Sequence, residues 1–425
     1  YHIGGVDLKK LIIEGGNPLL GEVRVQGAKN AVLPILAAAV MTKDNCIIHN
    51  CPRLRDVDKT KMVLERLGCK VKREGADITV LPEGVCSCEI CEDLMREMRS
   101  SIIFLGAIIT RCGEAVVSMP GGCPIGLRPI DLHLKALRDM GVFIKEEHGY
   151  IICKAQELKG TDIHLDFPSV GATENIMLAA VTAKGTTTIS NAAREPEITD
   201  LGKFLNAMGA KINGAGSSFI QIDGVEKLHG AEYTVMPDRI VAATYLAAAA
   251  ATDGEVFLTE ADTKSMGAML HVLSEMGPLI KADETTVHLK SRGRPKSIHI
   301  LRTMPYPGFP TDIQSPFMAV SSLADGTSIY VENIFENRFR HVDELVRMGA
   351  DIKVEGRSAV VRGVKSLSGT NVVARELRGG AALVIAALAA QGRSEISGVE
   401  YIDRGYEDIE RCLSALNANI KRVYC

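Results

Sequence analysis

A cysteine and an arginine stand five residues apart in Ser118-Met-Pro-Gly-Gly-Cys-Pro-Ile-Gly-Leu-Arg-Pro-Ile-Asp-Leu-His133. Three glycines and three prolines among these sixteen residues predict a loop that bends sharply and can approach a ligand. A thiol beside an arginine and a helix start can act as nucleophile or acid. Arg128 precedes a helix-like run over 129–140. Proline at a first helical turn leaves free N–H groups behind it, which suits an anion. The plainer alternative is an ordinary strand-to-helix loop with a passenger cysteine.

The elements that must position this loop are written as a repeat. Leu64-Glu-Arg-Leu-Gly-Cys-Lys-Val71 returns as Leu137-Arg-Asp-Met-Gly-Val-Phe-Ile144 and Leu205-Asn-Ala-Met-Gly-Ala-Lys-Ile212. It returns again as Leu273-Ser-Glu-Met-Gly-Pro-Leu-Ile280, Leu345-Val-Arg-Met-Gly-Ala-Asp-Ile352 and Leu413-Ser-Ala-Leu-Asn-Ala-Asn-Ile420. The Gly or Asn positions follow at spacings of 73, 68, 68, 72 and 68 residues. Such regularity marks a repeat architecture. Each phrase predicts the end of an amphipathic helix, a Gly or Asn cap, then a strand. A further short strand follows, such as Ser358-Ala-Val-Val-Arg362.

A second kind of helix is alanine-rich and apolar nearly all round. Examples are Ala31-Val-Leu-Pro-Ile-Leu-Ala-Ala-Ala-Val-Met41 and Gly380-Ala-Ala-Leu-Val-Ile-Ala-Ala-Leu-Ala-Ala390. Such helices belong inside. A unit of about 70 residues then holds one buried helix, one half-exposed helix and about four strands. Three units put three buried helices at a centre with sheets around them, and six units make two such domains, cut near the middle of the chain. Parallel buried helices would point their N-termini one way and make a positive end suited to phosphate.

The chain has 425 residues, 46% hydrophobic and 24% charged, with a net charge of −3. That is a globular composition with room for two or three domains. With no long basic run, no Trp and 4% aromatics, nucleic acid is excluded as a partner. No apolar run reaches the about 20 residues of a membrane span. Eleven cysteines without disulfide-like spacing read as free thiols in a cytoplasmic protein. Cys86, Cys88 and Cys91 make a C-x-C-x-x-C cluster, but no second cluster matches it, so structural thiols are expected rather than a metal site. Residues 1–7 read as neither signal peptide nor strand and are expected to be a leader outside the fold.

Several stretches together resemble the enolpyruvyl transferases, and among them the enzymes that act on UDP-N-acetylglucosamine in peptidoglycan synthesis. They are Gly27-Ala-Lys-Asn30, Met98-Arg-Ser100, the segment Pro120 to His133, Ser169-Val-Gly-Ala-Thr173 and Asn191-Ala-Ala-Arg-Glu-Pro-Glu197. Phe309-Pro-Thr-Asp312, Phe335-Glu-Asn-Arg338 and Asp403-Arg-Gly-Tyr406 complete the set. The resemblance implies an inside-out α/β barrel of two domains, three repeats in each. It implies that the chain starts in one domain, builds the other over 29–236, and returns, so that 1–28 and 237–425 form the second.

The implied reaction transfers enolpyruvyl from phosphoenolpyruvate to the 3-hydroxyl of UDP-N-acetylglucosamine and releases phosphate. The resemblance implies Cys123 as proton donor, with a possible covalent adduct, and Asp312 as base on the sugar hydroxyl. It assigns Lys29, Arg128 and Arg404 to the phosphate, and Arg338 and Arg378 to carboxylate or intermediate. Asn30, Arg99, Arg128, Pro129, Ile130, Asp131, Leu132, Phe167, Pro168, Ser169, Val170, Asp312 and Ile334 fall on substrate positions, mostly those of the nucleotide sugar. Arginine suits such posts because its planar fork binds two oxygens. No metal and no cofactor is implied, the partners are the two small substrates, and the oligomeric state is left open, a monomer being plausible. His133 is expected to be structural. Glu376 departs from the pattern, which has Asp there. Two alternatives are the shikimate-pathway enolpyruvyl transferase and a non-catalytic UDP-sugar-binding paralogue. Arg96-Glu-Met-Arg-Ser-Ser101 lacks the former's glycine-rich run, and the intact Cys123, Arg128 and Asp312 speak against the latter.

Overall fold

The computed structural model describes residues 9–85, 87–90, 92–93, 99–119 and 130–424, with the backbone alone for Arg99 and Ser100. Cys123, Arg128 and Pro129 lie outside the described residues, as do Cys86, Cys91, residues 1–7 and the side chain of Arg99.

The repeat phrase ends each of its six helices as the sequence predicts. Gly68, Gly141, Gly209, Gly277 and Gly349 take φ between +91° and +113°, and Asn417 takes +70°. Glycine enters this left-handed region without a Cβ clash, and asparagine tolerates it. The helices so closed are Arg55–Leu67, Asp131–Asp139, Pro196–Ala207, Gly267–Glu275, Val342–Arg347 and Ile409–Ala415. Their two-faced character is plain in Arg55–Leu67. Val57, Thr60, Val63, Leu64 and Leu67 are buried, while Arg55, Asp58, Met62, Glu65 and Arg66 face water.

The apolar helices, most of them alanine-rich, are buried along most of their length, as expected. They are Lys29–Ala38, Phe104–Cys112, Val170–Ala180, Arg239–Ala251, Thr311–Ser321 and Leu377–Ala389. Small side chains let them pack backbone to backbone. Gly106 leaves no room for a Cβ against the Asn175 carbonyl.

Among the described residues the strands form six four-stranded sheets of one plan. A short first strand runs parallel to the second, and the remaining pairs are antiparallel. Thus Asp162–His164 lies parallel to Thr186–Ser190, followed by Phe219–Asp223 and Lys211–Asn213.

The chain divides into two compact units after Gln26 and after Met236. One takes its described residues from 27–119 and 130–236, the other from 9–26 and 237–424. Each has three of the sheets, three of the buried helices and a hydrophobic core of its own. Buried helices inside and sheets outside make each an inside-out α/β barrel. The units are closed by strands distant in sequence. Glu232–Thr234 pairs with Cys46–His49, so the last strand of one unit completes its first sheet. In the other, Leu20–Arg24 pairs with Glu255–Thr259, and Lys9–Glu14 enters between Arg393–Ser397 and Asn419–Tyr424. A cut near the middle of the chain, which the repeat alone suggests, misses these two strands. Among the described residues no helix is long and apolar enough to cross a membrane.

Candidate active site

In the unit of residues 27–236, Lys29 opens its helix with Nζ 2.6 Å from Asp56 Oδ2. Lys29 is 8% exposed and Asp56 1%. Asp56 sits in the first turn of Arg55–Leu67, where the helix dipole favours an acid. Asn30 follows Lys29, half-buried. Removing one partner of a buried ion pair costs about 3 kcal/mol or more, whereas removing both is often near neutral. Lys29→Met is therefore expected to lower both the melting temperature and turnover. Adding Asp56→Asn should restore melting but not turnover if the ammonium also serves the substrate. Thermal melts and phosphate release on the single and double variants separate the two roles.

Ile130, Asp131 and Leu132 enter Asp131–Asp139, while Phe167, Pro168, Ser169 and Val170 enter Val170–Ala180. These two helices pack together, which brings the two predicted nucleotide-sugar stretches side by side. Asn175 fixes their register. Its Nδ2 donates to His133 Nδ1 at 2.8 Å and to the Ile102 carbonyl at 2.9 Å, and its Oδ1 accepts from Gly106 N at 2.8 Å. Gly171 lies against the His133 ring, at a distance where a Cβ would be crowded. Ser169 Oγ caps the second helix at Ala172 N. Phe167 stands exposed.

His133 is thus a structural residue. Burial pushes its pKa down to about 4, against the smaller opposing effect of Asp131. Between pH 6.5 and about 4 the unfolded chain binds a proton that folded His133 refuses. Stability is therefore full above pH 6.5 and falls as pH drops through that window. The melting temperature of the parent should fall more steeply from pH 7 to 4.5 than that of His133→Gln. Equal slopes would place the acid sensitivity elsewhere. His341, held near 3 by burial and then by Arg338, contributes with the same sign in both proteins.

In the other unit the geometry is denser. Asp312 is the second residue of Thr311–Ser321 and Arg378 the second of Leu377–Ala389. Arg378 Nη2 lies 3.3 Å from Asp312 Oδ2, and Arg338 Nη2 lies 3.1 Å from Asp312 Oδ1. Arg338 also donates through Nε and Nη2 to the Thr311 carbonyl at 3.2 and 3.1 Å. Both arginines are buried, at 2% and 3% exposure, while the Asp312 side chain keeps 28%. A carboxylate clasped by two guanidinium groups and still open to solvent can accept a proton from a hydroxyl. The arginines can hold an anion beside it.

Burial acts most strongly against the Arg378 charge, yet Tyr406, Asp312 and Asp238 together hold its pKa above the usual value. The Arg378 guanidinium lies 5.6 Å from the centre of the Tyr406 ring. Arg404 is half-buried in Asp403-Arg-Gly-Tyr406, a loop tied down on both sides. Arg422 grips Asp403 with two contacts of 2.8 Å, and Gln26 binds the Gly405 carbonyl at 3.3 Å and Glu407 N at 2.8 Å. Ile334 is half-buried, its N–H donating to Glu332 Oε1 at 2.8 Å.

Two helix starts depart from the expectation of open N–H groups, while Lys29–Ala38 and Thr311–Ser321 have no side-chain cap. Asp238 caps Arg239–Ala251 at Ile240 N and Val241 N, and Glu376 caps Leu377–Ala389 at Arg378 N and Gly379 N. These N–H groups are bound to carboxylates rather than open to phosphate. Positive charge at this end comes from Arg239, Arg338 and Arg378, all buried. Glu376 thereby acquires a defined place, with Oε2 also 3.9 Å from Arg338 Nη1. Asp56 in one unit, and Asp238, Glu332 and Tyr406 in the other, lie against predicted site residues of their own unit without having been assigned a role from sequence. Tyr406 stood inside a quoted motif, and Asp238 directly precedes an apolar helical run, the place of an N-cap; Asp56 and Glu332 had no local signal.

A family profile described as EPSP synthase (3-phosphoshikimate 1-carboxyvinyltransferase) matches residues 13–413. UDP-N-acetylglucosamine 1-carboxyvinyltransferase 2 of Caldanaerobacter subterraneus subsp. tengcongensis is 54% identical over 414 residues, 97% of this chain and 99% of that relative. UDP-N-acetylglucosamine 1-carboxyvinyltransferase of Nitratidesulfovibrio vulgaris is 50% identical, over 98% of this chain and 99% of its own length. Among solved structures, the enolpyruvyl transferase NikO from Streptomyces tendae superposes with a TM-score of 0.88 at 25% identity, covering 99% of this chain and 100% of its own. EPSP synthase from Acinetobacter baumannii shares the fold at a TM-score of 0.74 and 19% identity, over 98% of this chain and 100% of its own. With a profile matched nearly end to end and curated relatives half identical over the same span, this chain belongs to the enolpyruvyl transferase family, on the branch of the UDP-N-acetylglucosamine 1-carboxyvinyltransferases.

Proposed function

We propose that the chain transfers the enolpyruvyl group of phosphoenolpyruvate to the 3-hydroxyl of UDP-N-acetylglucosamine, releasing phosphate. In the addition step the sugar oxygen bonds to carbon 2 while Asp312 takes the hydroxyl proton. Carbon 3 gains a proton from Cys123. In the elimination step carbon 3 returns a proton, the bond from carbon 2 to the phosphate oxygen breaks, and the vinyl ether forms. Lys29, Arg128 and Arg404 hold the phosphate, and Arg338 and Arg378 the carboxylate or the tetrahedral intermediate. Asn30, Arg99, Arg128, the stretch Pro129 to Leu132, the stretch Phe167 to Val170, Asp312 and Ile334 hold the nucleotide sugar. The step needs neither metal nor cofactor, because a carboxylate and a thiol move the protons.

The observation that carries this reading is the Asp312 carboxylate clasped by buried Arg338 and Arg378. Relatives named for this reaction, half identical over nearly the full length, support it. We also infer that the two units are the domains of residues 29–236 and of 1–28 with 237–425, and that the protein works in the cytoplasm. The experiment is phosphate release with phosphoenolpyruvate and either UDP-N-acetylglucosamine or 3-phosphoshikimate. Release with the first acceptor alone is expected. Release with 3-phosphoshikimate alone would favour the shikimate-pathway alternative, and binding of the nucleotide sugar without release would favour a non-catalytic paralogue.

A further inference from the structure

Glu332 is 1% exposed. Its carboxylate nevertheless joins two parts of the candidate site. Oε2 accepts from Thr311 Oγ1 at 3.0 Å. Oε1 accepts from Thr303 Oγ1 at 2.9 Å, Ile334 N at 2.8 Å and Phe335 N at 3.1 Å. Thr311 is the first residue of the helix whose second residue is Asp312. Its carbonyl is held by Arg338 and its hydroxyl by Glu332. The residue that aims Asp312 is therefore fixed from two sides. An ionised carboxylate is the one side chain with acceptor sites for all four of these donors and no proton to misplace.

We propose that Glu332 is a positioning residue for the transfer reaction, acting through the Thr311 hydroxyl to set the Asp312 carboxylate and through the Ile334 and Phe335 amides to set the adjoining nucleotide-sugar loop. The proposal rests on the function given above. Misplacing a reacting group by about 1 Å can lower turnover on the order of 10²-fold. Glutamine at 332 keeps an amide oxygen for Thr303, Ile334 and Phe335 but turns a donor toward Thr311. The loop contacts stay and the link to the helix is altered.

The test is a kinetic cycle on the full chain: parent, Thr311→Val, Glu332→Gln and the double variant, with Thr311→Ser as rescue. Thr311→Val and Glu332→Gln should each lower kcat about 10- to 10²-fold. KM for UDP-N-acetylglucosamine should stay within about threefold, because these variants disturb the aim of the base rather than the contacts to the nucleotide sugar. The double variant should lose no more than the worse single one, since both cut the same link. Thr311→Ser should regain most of the turnover that valine loses. Thermal melts identify any variant that is merely unfolded, and the valine–serine pair then decides the matter. Losses that multiply in the double variant, or single variants within twofold of the parent, would overturn the role of Glu332. A folded parent that releases no phosphate would instead remove the function, and the proposal with it.

Discussion

Serine in place of Cys123 is expected to lose turnover on the order of 10²–10⁴, the range typical of general-acid catalysis. A thiol with an ordinary pKa near 8.5 is protonated at neutral pH and can donate to carbon 3 of the enol ether, whereas a serine hydroxyl is far too weak an acid. Aspartate is the informative replacement. Its ordinary pKa near 3.9 leaves it ionised at pH 7. Cys123→Asp should therefore retain activity that rises toward acid, with an optimum below that of the parent. A small electrophilic epoxide resembling phosphoenolpyruvate should alkylate the parent at Cys123 and spare the aspartate form. Among the described residues the other thiols make this a selective test. Burial pushes Cys51 and Cys153 up to about 12 and Cys69 to about 11. Cys46, Cys88, Cys112 and Cys412 are raised as well, again chiefly by burial. Few of these groups are thiolates at neutral pH, and the thiolate is the reactive form. Labelling confined to any of them, or a fully active serine form, would remove Cys123 from the mechanism.

Asp312→Asn should lower kcat by a similar 10²–10⁴-fold, because the amide cannot take the hydroxyl proton. Nucleotide-sugar affinity, read by calorimetry, should change far less. The substitution also deprives Arg338 and Arg378 of a carboxylate that lies 3.1 and 3.3 Å away. Arg338 keeps the Thr311 carbonyl, and the asparagine oxygen can still accept one hydrogen bond, so melting should fall while the fold persists. Asp312→Glu keeps the charge but moves it by one methylene, and an intermediate loss of about 10–10²-fold is expected. An asparagine form turning over within about fivefold of the parent would show that the base lies elsewhere. A glutamate form as impaired as asparagine, with normal sugar binding, would show that position matters as much as charge.

Much of the architecture was legible because it is local and repeated. A glycine or asparagine closing each amphipathic helix needs only its own φ to be read, and Gly68 through Asn417 all adopt the left-handed conformation that their types imply. The alanine-rich runs announced their burial through composition alone. Candidate residues were picked out by type, spacing and family resemblance: Asp312 beside a helix start, and arginines at 338, 378 and 404. Tertiary structure decided the rest. Lys9–Glu14 lies between strands some four hundred residues away, and no local pattern encodes that pairing. A strand displays which face it buries but not which edge will accept it. Likewise, no spacing shows that Asp56 meets Lys29, that Glu376 also approaches Arg338, or that Glu332 binds Thr311 and Ile334. A buried charge or polar group is tolerable only where packing brings it a partner, so an acid's role is settled when the chain closes around it.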